Sequence, residues 1–387
     1  MRIHLFCLFF FIQAIKLFSQ DSSYHQNSFF VEPIFNAGKS VKINPEIFPK
    51  NDFCLLNELN FGWQTLGRKD WHHIYGFPQP GVAFLYAYNG NDVVLGRTFA
   101  IEPNLTLHAL RTEKNNIEIN LGSGFAYFPI IHNPVNNSTN EYIGSHINGI
   151  VSFSFMYSKT LSKTLQLKIG VSTFHFSNGH YQLPNAGINN IVFTTGLKYF
   201  PHEIKKIPSR KKIEKEKYPF LFNFRLGLGE HDFGVAPYTG KEYMIYASSF
   251  YISKRLGKIS NMQIGFLNKY YTNYYRFIAD SNVYAKNQQL KSNTFSIFIG
   301  HEIMCGRISF LTQIGINLFN PFFKYEDRYL KNDFSTFAEI WFCSRVGFQY
   351  YFLKPTPERR FNIHAGIFVN ANYGRADYDE ISVGVSF

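Results

Sequence analysis

The chain has 387 residues and a formal net charge of +12, and 18% of its residues are aromatic, with 43 Phe and 25 Tyr against 3 Trp. Because only 45% of all residues are hydrophobic, this composition fits many strands with one apolar and one polar face, and it excludes a helical membrane protein. Much of the positive charge lies in the segment KKIPSRKKIEKEK. This excess of basic residues is explained equally well by a solvated tether and by attraction to lipid phosphates.

The N-terminus has the layout of a secretory signal peptide. Arg2 precedes the apolar run LFCLFFFIQAI, and Lys16 is followed by small or polar residues near Ser19 and Gln20. The run is shorter than the about 20 apolar residues that a transmembrane helix needs. Residues 1–20 are therefore predicted to direct export and to be cleaved.

Cysteine and histidine spacing predicts no cofactor and no metal site. The mature chain keeps Cys54, Cys305 and Cys343, an odd number of distant residues without C-x-x-C spacing, so we interpret them as small apolar strand residues. The pair His72 and His73 and the segment GEHDFG lack the further ligands of a metal site.

Eight segments of alternating polarity precede residue 200. Each is about ten residues long, which suits a membrane-spanning β-strand. Residues 21–200 are therefore predicted to form an eight-stranded outer-membrane barrel. The segments are SFFVEPIFNAG, CLLNELNFGWQTLG, GVAFLYAYNG, VVLGRTFAIEPNLTLH, IEINLGSGFAYFP, HINGIVSFSFMYSK, TLQLKIGVSTFHFSN and NNIVFTTGLKYF.

A charged linker, residues 201–217, separates this half from a second one, residues 218–387, with about eight further segments. About sixteen antiparallel strands form either two eight-stranded modules or one fused, wide barrel. The linker is longer than the short periplasmic turns within one barrel and favours two modules. The wide form would leave a channel, so an outer-membrane pore is the competing function.

The segment HFSNGHYQLPNAGIN, residues 175–189, places polar side chains on an apolar strand face. The odd positions before it are apolar and the even ones are polar or small, so the odd row faces lipid and the even row faces the lumen. His175 and Ser177 continue the odd row, and the next strand places Asn189 on the same face. The apolar odd residues are Leu165, Leu167, Ile169 and Val171, followed on the next strand by Ile191, Phe193 and Leu197.

These side chains have the types that ester hydrolysis needs. With the N-terminus in the periplasm, the seventh strand runs outward, which places them level with the outer leaflet. A serine becomes a strong nucleophile when a neighbouring imidazole takes its proton, and a third group must hold the other ring nitrogen. Asn178 or backbone N–H groups of the Gly-rich turn are candidates for stabilising an oxyanion.

The same segment resembles the pattern of the lipid A 3-O-deacylase (PagL) family, H-x-S-N, five residues, P-N-x-G-x-E. The resemblance covers about residues 21–200 and implies an eight-stranded outer-membrane barrel with a Ser-His-Glu hydrolase site on its outer surface. It implies that His175 is the general base, that Ser177 attacks an acyl ester of lipid A, and that Asn178 lies near the oxyanion. The matching positions are His175, Ser177, Asn178, Pro184, Asn185 and Gly187.

One position departs from the pattern, because Asn189 stands where the family has its glutamate. An amide oxygen can accept the imidazole N–H but cannot stabilise an imidazolium by charge. Either a Ser-His-Asn site is active or the barrel only binds lipid, and the presence of both Ser177 and His175 favours activity. The expected partner is lipid A or another outer-leaflet lipid, and no nucleic acid is expected.

Two hairpins suggest an internal duplication. SFMYSKTLSKTLQLKIGVSTFHFSN from Ser154 and SFYISKRLGKISNMQIGFLNKYYTN from Ser249 align without gaps, although barrel hairpins also converge in composition. In this alignment Tyr270 and Thr272 replace His175 and Ser177. If the halves are copies, the second has lost these groups.

Overall fold

The structure is a computed structural model that describes residues 28–41, 53–214, 216–232, 242–326 and 334–387. The predicted signal peptide, residues 1–20, lies outside the described residues. The chain divides into two compact units, and each contains a closed barrel of eight antiparallel strands. The prediction of sixteen strands in two eight-stranded modules is confirmed. The pore alternative rested on one wide barrel, so it loses its structural basis.

The first barrel is a simple meander, in which each strand pairs with the next and the eighth closes on the first. A short helix, α1, Asp70–Ile74, lies in the connection between the second and third strands. The strands are β1, Phe29–Val41; β2, Cys54–Trp63; β3, Gln79–Tyr88; β4, Arg97–Arg111; β5, Asn115–Tyr127; β6, Ile147–Thr160; β7, Leu165–Ser177; and β8, Ile188–Tyr199.

Strand alternation gives this barrel an apolar outer wall. On β7 the odd residues Ile169 and Val171 are 41% and 54% exposed, whereas the even residues Phe174 and Phe176 are buried. Successive side chains of a strand point to opposite faces, so the exposed row is the outside of the barrel. An apolar outer row is the surface that hydrocarbon requires.

The interior of the first barrel contains paired charges and, at one end, an apolar cluster. Lys168 Nζ lies 2.7 Å from Glu32 Oε1 and 3.0 Å from Glu118 Oε2, and all three side chains are buried. Buried charges need such partners because desolvation is costly. The apolar cluster fills the end where β7 terminates and includes Cys54, Leu56, Leu85, Phe128, Tyr142, Ile150, Phe174, Phe176, Ile188 and Val192.

The charged linker packs against the opposite end of this barrel. The Ile204 N–H donates to the Lys163 carbonyl at 2.7 Å, and the Gln64 amide donates to the Lys205 carbonyl at 2.8 Å. The neighbouring α1 carries His72, and burial together with nearby Lys69 lowers the pKa of His72 to about 4. Burial thus keeps this imidazole neutral at ordinary pH. His72 is part of the end of the barrel that the linker contacts.

The second barrel has the same topology, with helices added between strands. Its strands are β9, Lys217–Asp232; β10, Glu242–Leu256; β11, Ser260–Tyr271; β12, Asn293–Cys305; β13, Ile308–Phe319; β14, Phe342–Tyr351; β15, Asn362–Asn372; and β16, Arg375–Ser386, which closes on β9. The helices are α2, Thr272–Asp280; α3, Gln288–Lys291; α4, Pro321–Glu326; and α5, Phe334–Trp341. No helix in the described ranges is long and apolar enough to cross a membrane.

Charged side chains also fill the second barrel. Arg345 lies 2.7 Å from Glu380, and Lys269 lies 2.9 Å from Asp377, with all four side chains buried. As with Lys168 in the first barrel, each of these four buried charges has an opposite partner. The interior is therefore a packed polar core, as expected for a barrel of eight strands.

The two hairpins that align in sequence occupy different places in their barrels. The segment from Ser154 covers β6 and β7, the sixth and seventh strands of the first barrel, whereas the segment from Ser249 covers β10 and β11, the second and third strands of the other. The duplication therefore stays a prediction, and this alignment does not match the barrels strand for strand.

Candidate active site

The end of β7 and the start of β8 bring the candidate side chains together on the outer wall of the first barrel. In the strand register His175 lies opposite Asn189 on β8 and opposite Val151 on β6. Phe174 and Phe176 point inward into the apolar cluster and fix the strand, so His175 is held on the exposed face.

His175 and Asn189 form a side-chain hydrogen bond on this face. The distance between His175 Nδ1 and Asn189 Oδ1 is 2.8 Å. Because an amide oxygen only accepts hydrogen bonds, this orientation assigns the ring proton to Nδ1. Nε2 then keeps its lone pair and is able to take a proton.

Asn185 connects the serine to the turn that follows β7. Its Nδ2 donates to Ser177 Oγ at 2.8 Å, and its Oδ1 accepts from the Asn178 backbone N–H at 3.1 Å. The Asn178 side chain is buried and donates to Ser145 Oγ at 2.9 Å. These contacts of Asn178 hold the turn, and the amide next to the serine oxygen belongs to Asn185.

Gly187 allows the turn to approach the histidine and the serine. Its φ of +73° lies in the left-handed region, and a Cβ at this position would lie 3.2 Å from His175 Cε1 and 3.7 Å from Ser177 Cβ. His175 and Ser177 therefore both lie next to the position that a Gly187 Cβ would occupy. The same Cβ would also lie 2.9 Å from the Phe176 carbonyl oxygen, which is closer than ordinary packing allows.

We expect Gly187→Ala to lower ester hydrolysis at least tenfold. The added methyl must displace the turn or the imidazole, and misplacing a catalytic group by about 1 Å can cost 10²-fold in rate. The control is Gly374→Ala, since Gly374 also has a positive φ, +84°, but its Cβ would have no neighbour within 4 Å. A folded Gly187→Ala barrel with the wild-type rate would contradict this role of the glycine.

Sequence reasoning missed the β5–β6 connection that supports the site. The Ala186 N–H donates to the Glu141 carbonyl at 3.2 Å, and the Gly187 N–H donates to the Tyr142 carbonyl at 3.1 Å. Together with Ser145 under Asn178, these contacts fix the turn from its far side. The only signal in the sequence was the turn-forming segment IGSH.

Comparison with known protein families matches both halves of the chain. Residues 57–198 match the model described as lipid A 3-O-deacylase (PagL), and residues 220–387 match the model described as acyloxyacyl hydrolase, C-terminal domain. The first barrel is therefore similar to the PagL family along residues 57–198. The resemblance inferred from the motif is thus confirmed, and the PagL match supports a lipid A deacylase in the outer membrane.

Similar solved structures are also outer-membrane barrels. Neisserial surface protein A (NspA) is 8% identical, with a TM-score of 0.32, and the match covers 44% of this chain and 96% of that one. The outer membrane enzyme PagL is 13% identical, with a TM-score of 0.29, and the match covers 43% of this chain and 98% of that one. Scores this low add nothing to the family match. No curated protein matches the chain.

Proposed function

We propose that the first barrel hydrolyses an acyl ester of lipid A, with Ser177 as nucleophile, His175 as general base and Asn189 as the group that orients the imidazole. The 2.8 Å hydrogen bond between His175 Nδ1 and Asn189 Oδ1 carries this proposal, because it presents Nε2 as a base on the face that also carries Ser177. The PagL match supplies the substrate class.

The contacts of Ser177 suit proton transfer to this base. Asn185 donates its amide hydrogen to Ser177 Oγ, a bond that uses the acceptor side of the oxygen and not its hydroxyl hydrogen, which the proposed reaction transfers to His175. As Oγ bonds to the ester carbonyl carbon, its proton passes to Nε2 and the carbonyl oxygen becomes an oxyanion. Asn185 Nδ2, already 2.8 Å from Oγ, is the side-chain donor that the proposal assigns to this developing charge.

The second half of the reaction uses the same groups. The ester C–O bond breaks, and the sugar oxygen leaves with the proton from His175. Water then attacks the acyl-serine with His175 again as base, which releases a fatty acid and restores Ser177. In this scheme Asn178 supports the oxyanion donor indirectly, because its backbone N–H holds Asn185 Oδ1.

The position on the wall suits a lipid substrate. On the outer face the site is bordered by Val151 on β6 and by Thr173 and Ile191 one row further along β7 and β8. Val151 and Ile191 are both 54% exposed, so acyl chains can lie along them. With residues 1–20 removed on export and the N-terminus in the periplasm, β7 ends at the outer leaflet, where lipid A resides.

Lipid A from a Gram-negative host that expresses the wild-type chain tests this function. We expect mass spectrometry to show lipid A that has lost one ester-linked hydroxyacyl chain, compared with a host carrying an empty vector. Folding is checked separately by heat-modifiable gel mobility. Unchanged lipid A beside a folded barrel would contradict the proposal and favour an inactive lipid-binding barrel.

A further inference from the structure

A second serine–histidine pair lies on the second barrel. Ser260 Oγ is 2.7 Å from His301 Nε2, a hydrogen bond between the first residue of β11 and the middle of β12. In the register Ser260 lies opposite Ile303 and His301 lies opposite Met262, so the two residues are diagonal neighbours. Diagonal neighbours on one face lie within reach of a long or aromatic side chain.

This pair faces outward, toward lipid. The residues that alternate with it, Asn261 and Glu302, are buried in the barrel interior, whereas Met262 and Ile303 beside it are 42% and 40% exposed. Successive strand residues point to opposite faces, so Ser260 and His301 share the apolar outer wall. Ser260 therefore begins the lipid-facing row of β11, and His301 precedes Ile303 on the lipid-facing row of β12.

The connections of the second barrel indicate which leaflet the pair meets. Ser260 follows a turn of three residues, 257–259, and the neighbouring turn, 306–307, has two. The helices α2 to α5 lie in the connections at the opposite end. Outer-membrane barrels place short turns in the periplasm and long connections outside, so the pair lies at the inner leaflet. The esters in that leaflet belong to glycerophospholipids.

Cationic side chains surround this end of the barrel. Arg255 donates to the Lys258 carbonyl at 2.7 Å, Lys258 pairs with Glu216 at 2.8 Å, and Arg307 is exposed in the next turn. The β14–β15 turn adds three further basic residues, Lys354, Arg359 and Arg360. Basic side chains at the membrane surface attract phosphate headgroups.

We infer that Ser260 and His301 form a second hydrolytic site, which cleaves acyl esters of glycerophospholipids. Ser260 Oγ bonds to the ester carbonyl carbon and its proton passes to His301 Nε2. The glycerol oxygen leaves with that proton, and water then releases the fatty acid from the acyl-serine with His301 as base. This site is independent of Ser177 and of the lipid A reaction.

The contacts of His301 predict a slow enzyme. Its carbonyl accepts from Thr312 Oγ1 at 3.3 Å, and among the described residues no carboxylate is hydrogen-bonded to its ring. Loss of the orienting carboxylate from a serine protease triad lowers kcat by about 10⁴.

Hydrolysis in mixed micelles tests the site directly. The full-length chain with Ser177→Ala is incubated with phosphatidylethanolamine and phosphatidylglycerol in detergent, so that both barrel ends meet substrate, and free fatty acid is measured by mass spectrometry. We expect Ser260→Ala and His301→Gln to lower release at least tenfold. Ser248→Ala, which changes an outward-facing serine of β10, should leave it unchanged. Release that persists in Ser260→Ala, or no release from the Ser177→Ala chain, would overturn the inference.

A covalent probe supplies a second test that does not depend on turnover, with folding of each variant checked by heat-modifiable gel mobility. A fluorophosphonate forms a P–O bond with an activated serine and expels fluoride, and peptide mass spectrometry locates the modified residue. In the Ser177→Ala chain we expect labelling at Ser260 that is lost in His301→Gln. An unmodified Ser260 would overturn the inference. Because lipid A deacylation is measured separately with Ser177 intact and Ser260→Ala, failure of one site is distinguishable from failure of the other.

Discussion

Replacing Ser177 by alanine will lower the rate of lipid A deacylation at least about 10³-fold. The nucleophile and its base act as one unit, so removing the serine leaves only the contribution of oxyanion stabilisation and substrate binding. The alanine chain also loses the hydrogen bond from Asn185 Nδ2, but its barrel strands and the inward anchors Phe174 and Phe176 are untouched. We therefore expect a folded, inactive protein.

The measurement is the initial rate of acyl release from purified lipid A in detergent, with folding checked by heat-modifiable gel mobility. Leu167→Val is the matched control, because Leu167 lies on the same outward row of β7 but eight residues before His175, away from the proposed site. It should keep the wild-type rate. A folded Ser177→Ala chain that still deacylates lipid A at a comparable rate would rule out Ser177 as the nucleophile.

Replacing Asn189 by glutamate will raise kcat at least tenfold. In the proposed acylation step His175 becomes an imidazolium, and a carboxylate near Nδ1 would stabilise that charge, which the amide of Asn189 cannot do. A triad Asp→Asn change in a serine protease lowers kcat by about 10⁴. The reverse change, from an amide to a carboxylate, is therefore expected to raise kcat. Asn189→Ala removes the orienting acceptor and should lower kcat.

Asn189→Gln separates the effect of charge from that of side-chain length. Glutamine has the length of glutamate without its charge, so it should not accelerate the reaction. Rates of the wild-type, Glu, Gln and Ala chains are compared on the same lipid A, each with folding verified. Equal acceleration by Gln and Glu, or no change with Glu, would contradict the electrostatic role assigned to position 189.

Strand alternation made the barrel predictable from the sequence. The apolar odd residues of β7, such as Ile169 and Val171, are exposed, and the even residues Phe174 and Phe176 are buried, which follows from a period of two. The number of modules followed from the long charged linker. The helices α2 to α5 were not predicted, because their segments lie between strands in connections whose polarity does not alternate.

Strand alternation predicted which face carries the candidate site, but not the contacts within it. The odd positions of His175 and Asn189 predicted one shared face, and the register places the two residues opposite each other. The bond from Asn185 to Ser177 depends on how the turn folds against the β5–β6 connection, which no local pattern encodes. The Ser260–His301 pair joins residues 41 positions apart through the β11–β12 register, so the sequence gives no sign of it.

The placement of His175 on the outer wall determines which measure of substrate concentration sets the rate of the proposed reaction. A lipid that diffuses sideways along the bilayer reaches the residue without leaving the membrane and without crossing water. The rate then depends on the mole fraction of lipid A in the leaflet, in two dimensions, and not on its amount per volume. Diluting the substrate with inert lipid will slow the reaction, whereas diluting the whole membrane suspension with buffer will not.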